Sequence, residues 1–239
     1  MTMKTRFNPR NHPAALGSLK RGVGLKPRVV AVVDSVVPLA DLIRLKREGV
    51  DLLEIRVDLI DTSLDCLLKY LGEIGEQVGL SLIGTVRENA KTTPDRLRIF
   101  QTILPFIQGV DIELRCAILP EVVAEAHRLG KTVIVSEHDF EKTPSDATLQ
   151  SIVNRAKAAG ADLVKIVTMA RNEDDAWRLL RFVRSCRFPI AAFAMGERGA
   201  FSRLLACENG SLFTYGYISK PVAPGQFSAV ELVRKIKSK

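Results

Sequence analysis

Histidine is scarce in this 239-residue chain: there are three, and no two stand at the spacing of a metal pair. The four cysteines (Cys66, Cys116, Cys186 and Cys207) are scattered with no C-x-x-C pair, so neither a zinc site nor a disulfide framework is expected. They read instead as small apolar side chains in a reducing compartment, the cytoplasm. No apolar run reaches the ~18–20 residues that cross a bilayer, so no membrane partner is expected. No G-x-G-x-x-G follows the first strand-like run, where a dinucleotide-binding fold would need it. Acidic residues are missing from positions 1–28, which hold seven Lys and Arg. Beyond that segment 28 basic residues face 27 acidic ones, so the net charge of +8 belongs to the N-terminus. A nucleic-acid-binding body is therefore not expected. Residues 1–27 read as a flexible basic tail, and 28–239 as one folded domain.

What is present is a regular alternation. Short apolar or β-branched runs occur at 28–33, 51–57, 80–86, 109–114, 132–136, 162–168, 189–194 and 211–216. Helical periodicity fills 39–48, 120–129, 146–159, 174–184 and 229–237 between and after them. Gly49, Gly130 and Gly160 stand just past three of these segments as C-terminal stops. Several of the strands are apolar on both faces, as buried parallel strands are. Eight strand–helix repeats favour closure, so the fold class is α/β, a single-domain (β/α)8 TIM barrel.

Charge then appears where strands should be dry. In the second run Glu54 and Arg56 share one face, while Leu53, Ile55 and Val57 share the other. The third run ends in Arg87, and the fourth carries Asp111 and Glu113 on one face. His138 follows the fifth run, at the strand end where barrel active sites are built. Lys165 lies within the sixth, enclosed by Leu163, Val164 and Ile166. An unpaired ammonium is costly to bury. Burial and a nearby cation such as Arg87 would favour its free amine, the form that attacks a ketone. Lys165 thus reads as a Schiff-base former and His138 as its proton-transfer partner. Arg203 stands near a helix start after the seventh run, placed to fork onto a carboxylate. The Pro/Gly loop 219–226, ending in Gln226, reads as a lid over the barrel mouth.

These pieces resemble the type I 3-dehydroquinate dehydratases over residues 28–237. They fall in that family's order: Glu54-x-Arg56-x-Asp58, Thr85-x-Arg87, Ser136-x-His138-Asp139-Phe140-x-x-Thr143-Pro144, Lys165, Met195-Gly196-x-x-Gly199-x-x-Ser202-Arg203, and Ala223-Pro224-Gly225-Gln226. The resemblance implies dehydration of 3-dehydroquinate to 3-dehydroshikimate in the shikimate pathway, without metal or cofactor. It implies that Lys165 forms the imine and His138 moves the proton. Arg203 and Gln226 would hold the carboxylate, and Glu54, Arg56 and Arg87 the ring hydroxyls. It also implies a homodimer.

Two positions depart from the family's pattern. Lys91 stands where the family usually has a glutamate touching the catalytic histidine, and Val222 where it has a lid serine. Glu88 is a candidate substitute for that glutamate, although a side chain next to Arg87 should face the other side of the strand. Two other readings stay open: another Schiff-base lysine barrel, such as a class I aldolase, and a non-catalytic barrel kept as a binding module.

Overall fold

The computed structural model describes residues 27–90, 92–221 and 225–237. Lys91, Val222 and the 1–26 part of the basic tail lie outside the described residues. Eight strands, β1 (Val29–Val33), β2 (Leu52–Arg56), β3 (Ser81–Thr85), β4 (Gly109–Glu113), β5 (Thr132–Asp139), β6 (Leu163–Met169), β7 (Ile190–Met195) and β8 (Thr214–Tyr217), alternate with helices. The helices are α1 (Leu39–Glu48), α2 (Leu64–Glu73), α3 (Arg96–Ile103), α4 (Leu119–Arg128), α5 (Asp146–Ala158), α6 (Glu173–Ser185), α7 (Ser202–Leu205) and α8 (Ala229–Lys237). Every ladder is parallel, and β8 pairs with β1. Among the described residues no ladder joins β7 to β8. The seam is crossed by the Leu212 N–H to the Ile190 carbonyl at 2.8 Å and by the Ala192 N–H to the Ser211 hydroxyl at 3.1 Å. The (β/α)8 barrel read from the sequence is the fold.

The strands bury both faces for two different reasons. Outward positions such as Val29, Ala31, Val33, Leu53 and Ile55 pack under the helices in the larger core cluster. Inward positions such as Val30, Leu52, Ile83, Ile134, Leu163 and Phe213 fill the barrel in a second cluster. Two residues further along the same strands the inward positions are Glu54, Thr85, Ser136 and Lys165. Because side chains alternate with period two, each of these shares the face of an apolar residue beneath it. The barrel therefore carries a dry lower plug and a polar upper layer.

Three differences from the sequence reading have local causes. The fifth strand runs on to Asp139 because Glu137, His138 and Asp139 continue in register with Ile166, Val167 and Thr168. Their polar side chains hide a ladder that the backbone maintains. The eighth strand starts at Thr214, since Ser211 and Leu212 are spent on the seam. Helices α2 and α3 were not singled out. The first buries Leu67, Tyr70 and Leu71 and is capped by the Ser63 hydroxyl, but it runs into a π-turn over Ile74–Val78 that blurs its period. The glycine stops behave as expected, with Gly49, Gly130 and Gly160 at φ of 108°, 65° and 90°.

Helix α8 sits hard against β8. A Cβ at Gly216 would lie 2.5 Å from the Ala229 Cα and N, and backbone cannot swing aside as a side chain can. Gly216→Ala is expected to push α8 outward and cost about 3 kcal/mol, the upper end of ordinary overpacking. In a thermal melt that is a fall of roughly 6–12 °C for a domain of this size. An unchanged Tm would show that the helix yields freely.

Candidate active site

One cavity of about 530 Å³ opens at the C-terminal end of the strands. All seven side chains singled out from the sequence line it: Glu54, Arg56, Arg87, His138, Lys165, Arg203 and Gln226. Gln226 reaches it from the loop after β8. Lys165, 5% exposed, is at the centre. Its Nζ lies 2.9 Å from Asp111 Oδ2 and 3.2 Å from Glu54 Oε1. The sequence reading gave the lysine a cation for a neighbour. The structure keeps Arg87 close, on the same Asp111 carboxylate, and adds two acids, because β4 and β2 turn Asp111 and Glu54 inward at the lysine's level.

Each acid is held in turn. The Thr85 hydroxyl donates to Glu54 at 2.6 Å. Asp111 accepts from Arg87 at 2.8 Å and from the Ser136 hydroxyl at 2.7 Å. Burial alone would raise the Asp111 pKa, but the Arg87 guanidinium and the Lys165 ammonium outweigh it and hold the carboxyl well below the usual range. Glu113 braces Arg87 at 3.3 Å and is itself gripped by the buried Arg96, whose Nε donates to the Val86 carbonyl at 2.7 Å. Arg56 forks onto Asp58 at 3.0 and 2.6 Å, which accounts for the x-Asp in its motif. Asp111, Ser136, Glu113 and Arg96 extend the site beyond the seven. The two acids on β4 were visible in the sequence, but the strand register that aims them was not.

His138 lies on the cavity wall, its ring near-parallel to Phe140 at 5.9 Å between centroids. Burial, then the positive charges of Arg87 and Lys165, push its pKa down to about 3. The imidazole is therefore neutral in the empty site, the form a general base requires. Glu88 does not serve it. That carboxylate is 65% exposed and lies 3.9 Å from Arg96 on the other side of the strand. Glu88→Gln should therefore leave kcat and kcat/KM within about twofold, since so long a contact from a largely exposed carboxylate is worth little. A tenfold fall would mean that Glu88 communicates with His138.

Arg203 is unusual in a different way. It is 2% exposed and has no acidic partner among the described residues. Its Nε lacks a hydrogen bond, NH1 reaches the Tyr215 carbonyl at a long 3.4 Å, and the guanidinium lies 4.4 Å over the Phe193 ring. Burial pushes its pKa down to about 10, still charged near neutrality. Ser202 fixes the turn that aims it, accepting from the Ala194 N–H at 2.8 Å and donating to the Gly199 carbonyl at 2.6 Å. A buried cation without an acidic partner has the chemistry to receive an anion.

The sequence pattern of the family described as Type I 3-dehydroquinase matches residues 30–238. A 3-dehydroquinate dehydratase from Methanocella arvoryzae is 34% identical over 217 residues, 88% of this chain and 96% of that one. One from Methanosarcina barkeri is 35% identical over 79% of this chain and 84% of its own length. The crystal structure of the 3-dehydroquinate dehydratase from Aquifex aeolicus superposes with a TM-score of 0.78 at 29% identity, covering 88% of this chain and 98% of that one. With a catalytic-type cavity at the mouth of a matching barrel and the family pattern running across it, the chain belongs to the type I 3-dehydroquinase family of enzymes.

Proposed function

We propose that the chain dehydrates 3-dehydroquinate to 3-dehydroshikimate through an imine on Lys165, within the shikimate pathway. The observation that carries this reading is the cavity's pairing of a buried lysine with a buried arginine that has no acidic partner among the described residues. Such a site suits a molecule with a ketone at one end and a carboxylate at the other.

The amine of Lys165 adds to the ketone, and loss of water leaves a protonated imine, an electron sink for the neighbouring C–H bond. To become an amine, Lys165 must first shed a proton. Asp111 is held too firmly as an anion to accept it, and Glu54 is the other carboxylate within reach. Neutral His138 removes the proton beside the imine carbon. The electron pair moves to expel the hydroxyl on the carbon that bears the carboxylate. The resulting imidazolium returns its proton to that departing hydroxyl, which leaves as water. Hydrolysis of the imine frees the product and restores the lysine. Arg203 with Gln226 holds the carboxylate, while Glu54, Arg56 and Arg87 set the ring's orientation. The homodimer and the cytoplasmic location belong to the same proposal.

The test is a continuous assay for the conjugated product with dehydroquinate, joined to borohydride trapping and peptide mass spectrometry. Turnover with a single reduced adduct on Lys165 is expected. An aldolase would give an adduct with a sugar phosphate instead, and a non-catalytic barrel would give neither turnover nor adduct.

A further inference from the structure

Two buried side-chain polar atoms among the described residues have no hydrogen-bond partner: Nε of Arg203 and the hydroxyl of Tyr215. Both residues line the same cavity. The first is accounted for by an incoming carboxylate. The second is not used by any step above, and a tyrosine is an ordinary residue in a strand such as β8.

Tyr215 is only 3% exposed, and buried hydroxyls are nearly always paired because an unpaired one costs stability. Its ring is well used: Lys165 Nζ lies 4.2 Å from the ring centroid, and Phe193 packs against it at 5.6 Å. Its backbone carbonyl is the Arg203 contact. Packing and the cation contact need the ring alone, so phenylalanine would serve them equally. The hydroxyl, by contrast, is a cost to the empty protein with no return inside it. Burial, with Glu54 and Asp111 nearby, raises its pKa well above the usual value, so it stays a donor at any working pH.

Tyr215 also stands between the two ends of the proposed substrate, its ring at the lysine that takes the ketone and its backbone at the arginine that takes the carboxylate. In dehydroquinate one methylene separates the ketone carbon from the carbon bearing both the carboxylate and the departing hydroxyl. We propose that the Tyr215 hydroxyl is a substrate-binding donor that hydrogen-bonds an oxygen on that carboxylate-bearing carbon. The inference rests on the reading of the site given above. Tyr215 then discriminates for a hydroxy-carboxylate against a ketone lacking that group, because a site left with an unpaired polar group rejects the analogue.

The experiment is Tyr215→Phe in the full chain, with steady-state kinetics on dehydroquinate, borohydride trapping, and thermal melts without ligand and with dehydroshikimate. Expected are a roughly tenfold fall in kcat/KM, retained trapping on Lys165, and an unliganded Tm equal to or above the parent's. The product should also raise the variant's Tm less than it raises the parent's. A purely structural tyrosine would lower the unliganded Tm and leave kcat/KM within about twofold, and either result would overturn the proposal. If the parent chain itself neither turns over dehydroquinate nor forms an adduct, the functional reading fails and takes this inference with it. If the parent is active and the variant matches it, only the role of Tyr215 fails.

Discussion

Replacing Lys165 with alanine is expected to remove the borohydride-trapped adduct and to lower kcat by about a millionfold, the scale seen when a covalent nucleophile is deleted. The fold should also suffer. Glu54 and Asp111 would keep their buried positions but lose the ammonium 3.2 and 2.9 Å away. Breaking a buried ion pair from one side costs about 3–5 kcal/mol, because a charge is left uncompensated. The variant should therefore melt markedly lower at neutral pH. The deficit should shrink as pH falls into the carboxylate range, where protonation relieves the stranded charge. Activity is then assayed well below the variant's own Tm. Trapping at another lysine, or turnover near the parent's, would end the imine mechanism.

The second large effect is at His138. His138→Asn should lower kcat by about 10³-fold, within the 10²–10⁴ range of general acid–base contributions. Imine formation should survive, so borohydride still marks Lys165 and the covalent complex accumulates. Here too the variant should gain on the parent as pH falls, but for a different reason. The folded imidazole titrates near 3, whereas an unfolded histidine titrates near 6.5. Between those values the unfolded chain binds a proton that the folded chain refuses, so the parent loses stability as pH falls through that window. Asparagine has no such proton. The variant's Tm should gain on the parent's between about pH 6.5 and pH 4. Parallel Tm curves would show that the ring is not kept neutral by its surroundings.

Much of this molecule was legible because charge stands out against dry strands. Glu54, Arg87 and Lys165 were noticed for being wrong in an apolar context, and the cavity wall collects all of them. Period-two alternation also placed Leu53 and Ile55 outward and Glu54 inward correctly, since it needs no tertiary information. Contacts between strands were another matter. That Asp111 would reach Lys165 depends on registers such as Thr85 with Asp111 and Ser136 with Lys165, which no local pattern encodes. Arg203 could be placed near an anion from its helix start, but its lack of a counter-ion is a property of everything around it. Tyr215 was invisible for the opposite reason, being an aromatic residue in a strand where aromatics are ordinary. Its hydroxyl becomes informative only once its surroundings are known.

The seam between β7 and β8 has a bearing on how the molecule breathes. Elsewhere neighbouring strands are held by ladders of four or more paired residues or, between β3 and β4, by three; here the crossing is the Leu212 amide and the Ser211 hydroxyl. Amides along this stave should be the first of the barrel's to exchange with heavy water. Lys165 stands on the β7 side of that line, on β6, and Tyr215 stands on β8. A molecule joined covalently to the one and hydrogen-bonded to the other acts as a rung across the weakest joint. The trapped adduct should slow exchange at Leu212 more than at amides in the β2–β3 ladder, making the ligand, for the lifetime of the imine, part of the wall that encloses it.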